Sequence, residues 1–389
     1  MLRADGVMRN PGKSLIVCLA GAVLLALLVT AVAAASAAGG GRLVWSRPVG
    51  GFTEPGKCLG IAATCEAGGL GTVSCPSTTL CVASGTGGSL ATTDPTGREA
   101  AWTAMLYIGL IGVSCPSTSF CVGITPGNGT AGGTDHIYTT TDPAGGANAW
   151  HEFAIPHARG QFWAGISCGS ASLCVAYESG RFKNGFHVST GGYVAVSTDP
   201  AGGAAAWKLT SLHDVPAGVD CQGHTCVLGT NDGQVLTSGD PTSGRWRTTN
   251  VTGPHDGQLS DLGVLACTSS SYCLIGADGT PAVWYARDPA STKHWTPLRS
   301  IIALEGRGVL GGAGCGSTGR CVLAIDELTR ASNTAALISS PKPGARWQAA
   351  HVKGQYFAAS CPSETMCVAA GGNNYNGRFA RVTVGRAAS

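Results

Sequence analysis

The sequence predicts an all-β, seven-bladed β-propeller of four-stranded antiparallel blades, its ring closed by an N-terminal strand that pairs with the last blade. Three observations predict it. Seven closely spaced cysteine pairs recur at blade-sized intervals, a tryptophan recurs at a fixed place in each repeat, and an N-terminal segment supplies the strand that the last repeat lacks. Composition agrees: 59 glycines among 389 residues suit strands and tight turns, since each would cost a helix about 1 kcal/mol. With 44% hydrophobic residues and a net charge of only +3, the chain is neither a disordered polyelectrolyte nor an electrostatic nucleic-acid binder, so no nucleic acid is expected as a partner.

Taken in order, the chain opens with Arg3, Arg9 and Lys13, then an apolar run over 15–30 and a small-residue tract over 31–41. This is the order of a secretory signal, with Ala33, Ala34 and Ala35 or Ala35, Ser36 and Ala37 as cleavage sites. If it is retained, residues 15–38 reach across about 30 Å of hydrocarbon as a signal anchor. Residues 1–41 therefore read as a signal peptide or signal anchor. Either way the rest is exported, secreted or anchored on the outer face of the cytoplasmic membrane, and touches the membrane only through that segment. Cys18 falls in the apolar run and leaves sixteen of the 17 cysteines for the mature part.

Residues 42–389 read as a single propeller domain. The pairs are Cys75/Cys81, Cys115/Cys121, Cys168/Cys174, Cys221/Cys226, Cys267/Cys273, Cys315/Cys321 and Cys361/Cys367, and their first members lie 40, 53, 53, 46, 48 and 46 residues apart. Small residues before each pair, such as Gly71, Thr72, Val73 and Ser74, suit a crowded innermost strand. The second cysteine opens an apolar second strand, and an alternating third follows, such as Tyr193, Val194, Ala195 and Val196. A Ser/Thr-x-Asp-Pro turn then leads to a fourth strand headed by Trp102, Trp150, Trp207, Trp246, Trp295 or Trp347. The seventh unit has its pair and third strand but no fourth. Trp45, within the segment 42–48, supplies it, and closure removes the exposed edges of an open array.

The turns carrying Asp94, Asp142, Asp199, Asp240 and Asp288, each followed six to eight positions on by its Trp, resemble the Asp-box of sialidase-like (BNR) propellers. The likeness covers nearly the whole mature chain as architecture and is only moderately specific as a motif. It departs from the family pattern in its Asp-Pro step and in the sixth unit, where Ser340 and Pro341 stand without the Asp. The residues themselves suggest a structural role: the carboxylate caps its own turn, Pro fixes φ and Trp fills the space between blades. Sialidase chemistry, which the resemblance would bring, needs an arginine trio, a Tyr/Glu pair and an Asp acid. The family's Arg-Ile-Pro signature is absent, Arg47 and Pro48 being only a partial match.

Lone pairs with five intervening residues, or four in one case, suit hairpin disulfides better than zinc, which wants a second pair close by, so no metal is expected. Cys58 and Cys65 staple the insertion over 51–69, giving eight disulfides in all. No cofactor motif is present, and the chain is expected to be a monomer. In a meander the disulfide hairpins and Asp turns share one face, leaving the other, with its longer loops, for recognition. Those loops carry Asp135, His136, Arg181, Lys183, His187, Asp256, Asn374 and Tyr375 as candidate binding residues, with Asp326 and Glu327 on the same face, whereas His213 and Asp214, adjacent in sequence, read as loop polar residues. No nucleophile elbow, zinc-protease helix or P-loop occurs, so no catalytic residue is assigned. The function read from this is a binding or scaffold module for a glycan or protein. Two alternatives stand beside it: a glycoside hydrolase or lyase, and an assembly factor resembling the propellers that help to build photosystem II.

Overall fold

The computed structural model describes residues 41–50, 69–85, 88–106, 109–125, 135–155, 162–179, 182–183, 186–187, 191–251, 261–269, 271–277, 280–302, 308–327, 334–372 and 380–388. The chain divides into the units Met1–Gly41 and Arg42–Ser389. The predicted leader and the Cys58/Cys65 staple lie outside the described residues. Among the described residues no helix is long and apolar enough to cross a membrane.

The architecture is the predicted seven-bladed propeller. Strands β1 (Leu43–Trp45) and β2 (Val49–Gly50) come first, then blade 1 is β3 (Leu70–Ser77), β4 (Leu80–Gly85), β5 (Gly88–Thr92) and β6 (Thr103–Leu106). Blade 2 is β7 (Gly112–Ser117), β8 (Phe120–Ile124), β9 (His136–Thr140) and β10 (His151–Ala154). Blade 3 is β11 (Phe162–Ser170) and β12 (Leu173–Ser179), a ribbon of β13 (Phe182–Lys183) and β14 (Phe186–His187), then β15 (Gly192–Ser197) and β16 (Trp207–Leu212). Blade 4 is β17 (Pro216–Gln222), β18 (Thr225–Thr230), β19 (Gln234–Ser238) and β20 (Arg247–Asn250). Blade 5 is β21 (Val264–Ser269), β22 (Tyr272–Gly276), β23 (Val283–Arg287) and β24 (Thr296–Pro297). Blade 6 is β25 (Gly308–Cys315), β26 (Cys321–Glu327), β27 (Thr334–Ser340) and β28 (Gln348–Lys353). Blade 7 is β29 (Gln355–Ser363), β30 (Met366–Gly372) and β31 (Arg381–Ala387), completed by β1 in the order β1-β31-β30-β29.

Closure is antiparallel and in register, Leu43 opposite Ala387, Val44 opposite Arg386 and Trp45 opposite Gly385. The backbone N–H of Ser46 donates to the Val384 carbonyl at 2.8 Å, and the Thr383 hydroxyl donates to the Ser46 carbonyl at 3.0 Å. Second strands such as β4, β8 and β30 are buried along their whole length, because neighbouring blades cover both their faces. That is why they read as continuous apolar runs rather than as alternation. The small residues of the inner strands are required by contact: a Cβ on Gly314 would lie 2.1 Å from the Ala359 carbonyl oxygen of the next blade.

Each recurring tryptophan packs between its own blade and the one before. Trp150 joins Val82 and Met105 of blade 1 to Val113 and Tyr138 of blade 2, and Trp207 joins Ile124 and Ile137 of blade 2 to Ala195 of blade 3. Trp102, Trp246, Trp295 and Trp347 do the same at the 7/1, 3/4, 4/5 and 5/6 junctions. Trp45 fills the remaining junction, against Leu337 and Val352 of blade 6 and Tyr356 of blade 7. The closing strand thus brings both the missing ladder and the missing wedge.

The turn aspartates act locally. Asp94 Oδ1 accepts the Thr96 backbone N–H at 3.2 Å, and the carbonyls of Asp94, Asp142 and Asp199 accept from Gly97, Gly145 and Gly202 at 2.9, 3.0 and 2.9 Å. Asp288 takes φ 52°, a left-handed position that Asp tolerates better than most side chains. Trp45→Ala is expected to lower the unfolding free energy by about 3 kcal/mol, as loss of a large packed aromatic does. Val44→Ala, on the exposed side of the same strand, should change it by less than about 0.5 kcal/mol. Urea melts of the two variants check this.

Candidate functional site

The inner strands enclose a central channel of about 470 Å3. At its disulfide end a recurring hydrogen bond ties blade to blade. In five of the seven blades the residue before the first cysteine accepts, through its side chain, the backbone N–H of the first cysteine of the next blade. Ser74 takes Cys115 at 2.9 Å, Ser114 takes Cys168 at 2.9 Å, and Ser167 takes Cys221 at 2.9 Å. Asp220 takes Cys267 at 2.7 Å, and Ser360 takes Cys75 at 3.0 Å across the closure. Ala266 and Gly314 hold the two remaining places and have no such side chain. At the second of these, the buried Arg320 donates through Nε to the Glu364 carbonyl of blade 7.

The seven predicted pairs are disulfides, each across the hairpin of a blade's first two strands. Cys75 bonds to Cys81, Cys115 to Cys121, Cys168 to Cys174 and Cys221 to Cys226. Cys267 bonds to Cys273, Cys315 to Cys321 and Cys361 to Cys367. Sequence reasoning gave all of these residues one role, as staples on the hairpin face, and for the second members that role is incomplete. Cys81, Cys121, Cys174, Cys226, Cys273, Cys321 and Cys367 are buried, because they lie on second strands that neighbouring blades cover. Each belongs to a hydrophobic core cluster, so it packs as a small apolar side chain as well as forming a crosslink, and it is closed to any ligand. Short rings of this kind stabilise by about 2 kcal/mol each, and such a number of them suits an oxidising, extracytoplasmic compartment.

Asp220 is the one ionisable member of the clasp. Desolvation in the channel wall pushes its carboxyl up to about 6, against the pull of the Cys267 N–H and, more weakly, Gln222 and Ser167. On the loop-bearing face Asp326 is also raised to about 6 by burial, while its Oδ1 accepts the Tyr356 N–H at 3.3 Å and so joins blades 6 and 7. The Tyr177 hydroxyl donates to the Ala217 carbonyl at 2.8 Å between blades 3 and 4, and burial raises its pKa.

The candidate rim residues divide. Asp135 is buried at 2% exposure beside β9, and its carbonyl accepts the Ile155 N–H, so it anchors blade 2 instead of projecting from a loop tip. His136 opens β9 and pairs through Nδ1 with Glu152 on β10. Lys183 and His187 sit in the β13–β14 ribbon, opposite Phe186 and Phe182. Arg181, Asp256, Asn374 and Tyr375 lie outside the described residues. Asp326 falls within β26 and is buried, where the sequence suggested a loop. His213, exposed between β16 and β17, is held by the buried Asp214 through a 2.9 Å hydrogen bond, which raises the imidazole pKa. Asp220 and Arg320 were missed by sequence reasoning. The recurring Ser-Cys step was a signal for the first, and nothing local marks the second.

No protein-family model and no curated protein sequence matches the chain. Solved structures similar to it are propellers of very different sequence. U3-55K is 12% identical with a TM-score of 0.58, covering 84% of this chain and 97% of its own. YCF48 bound to D1 peptide is 13% identical with a TM-score of 0.56, covering 83% and 94%. The Pan2 WD40 domain of Neurospora crassa is 11% identical with a TM-score of 0.56, covering 89% and 96%. What they share with this chain is the fold.

Because the folded state keeps the Asp220 proton to about pH 6 and the unfolded chain releases it near 3.8, stability falls as pH rises through that window. Asp220→Ser, which installs the acceptor used by four other blades, is expected to keep the fold, flatten this part of the profile and raise the melting temperature at pH 7. Thermal melts of both proteins from about pH 4 to about pH 7 check it.

Proposed function

We propose that the protein is a binding or scaffold module of the cell envelope or extracellular space, with a protein or a glycan as its ligand. The observation that carries this reading is the use made of the ring's polar side chains. Ser74, Ser114, Ser167, Asp220 and Ser360 each hold the next blade, and Asp326 and Arg320 add further ties between blades 6 and 7. Buried carboxylates engaged in this way serve rigidity, where acid–base catalysis would need a pair facing substrate.

A stapled ring keeps the strand ends of its blades in fixed mutual positions, which reduces the ordering entropy lost when a ligand is bound there. YCF48, whose structure holds a D1 peptide, gives a case of a ligand carried by a ring of this fold and supports a protein ligand here. The recognition surface in this reading is the face opposite the disulfide hairpins, where His136 and His213 lie.

The test places photo-crosslinking residues at His136 and His213 and, as controls on the other face, at Asp94 and Asp142. Crosslinked adducts in the envelope of producing cells are expected from the first pair alone. The purified protein should leave fluorogenic sialosides and aryl glycosides intact. Turnover abolished by substituting a carboxylate of the loop-bearing face, or adducts from the control face only, would overturn the reading.

A further inference from the structure

Where blade 6 meets the closing strand, the perimeter of the ring carries an open groove of about 1070 Å3 between β28 and β1. Its apolar floor includes Trp45 and Val352. Val44 stands at its edge with 62% exposure and is the exposed large apolar side chain of the described residues. Arg42, Arg47, Lys353 and Arg381 line the same groove, and no Asp or Glu lines it among the described residues. In a chain with 25 basic and 22 acidic side chains, four cations without an acid are a local departure from balance. Two of them are held in place. Arg42 reaches across to the Ala349 carbonyl of blade 6, and the Arg381 stem lies against Gly50 and Gly354, where a Cβ would approach its methylenes to 3.1 and 3.3 Å.

The two walls are outermost strands: among the described residues β28 pairs only with β27, and β1 only with β31. The Ala349 carbonyl on the β28 edge already accepts from Arg42, so an added extended segment would pair with the outer edge of β1, the geometry by which peptides join exposed sheet edges. Side chains of an extended segment alternate, so acidic residues can meet the cationic rim while the residues between them cover Val44 and Trp45.

We propose that this groove is a docking site for an extended acidic peptide segment of a partner protein, separate from the loop-bearing face and independent of what that face binds. The probe is a fluorescein-labelled ten-residue peptide alternating Glu with Val and Phe, read by fluorescence anisotropy against the full mature protein. Its counterpart with Lys for Glu is the charge control.

Saturable binding of the acidic peptide alone is expected. Lys353→Glu and Arg47→Glu should each weaken it at least about tenfold, and raising salt from about 50 to about 300 mM should weaken it further. Val44→Asp should weaken it as well, whereas Arg245→Glu on blade 4 should leave it unchanged. All four positions are exposed, so melting temperatures equal to the parent's verify the fold. No binding, equal binding of the Lys peptide, equal loss in the Arg245 variant, or binding of anionic vesicles in place of the peptide would overturn the proposal.

Discussion

The structure depends on one pairing between residues at opposite ends of the propeller. β1 joins β31 across some three hundred and forty positions, Ser46 bonding to Val384 and Thr383, and Trp45 enters the 6/7 junction. Without that strand blade 7 would end in an open edge, and the wedge that every other junction has would be missing from one. An open ring also loses the Ser360 to Cys75 clasp, because blades 7 and 1 are held at fixed distance only when the circle is complete. Loop closure over so long a segment costs only slowly more than over a short one, so packing and ladder bonds can outweigh it.

The disulfides work at a different level. Among the described residues each links two adjacent strands of one hairpin, and none of these crosses a blade junction. They stiffen blades, and the ring itself is held by noncovalent contacts: tryptophans on the outer part of each junction and side-chain clasps near the channel. The clasp is not uniform. Where Gly314 stands, backbone approach to Ala359 leaves no room for a side chain, and Arg320 supplies a bond from the neighbouring hairpin instead. Stiff blades and a closed ring together give what a binding module needs, surfaces whose spacing does not change when a ligand arrives.

Much of this was legible in the sequence because the repeat is written in residues with strong local meaning. Cysteine pairs mark hairpins, Asp-Pro marks a turn, and Trp marks the start of an outer strand, so blade number and closure follow from spacing alone. Residues whose role depends on the next blade were harder to read. Asp135 and Asp326 look like loop-tip acids, yet both are buried where strand ends meet neighbouring backbone. Asp220 sits where four other blades have Ser, and only the shared bond to the following cysteine N–H explains the equivalence. The basic groove gathers Arg42 and Arg47 with Lys353 and Arg381, which no window along the chain would bring together.

Native-state hydrogen exchange of the closing strand tests the central claim most directly. If β1 belongs to the cooperative unit, the amide of Ser46, bonded to Val384, and those of β31 exchange with the same opening free energy as Val368 in the middle of blade 7. Exchange of Ser46 and β31 through a low-energy local opening, while Val368 keeps its protection, would mean that the ring stands without its closing strand and would contradict the account.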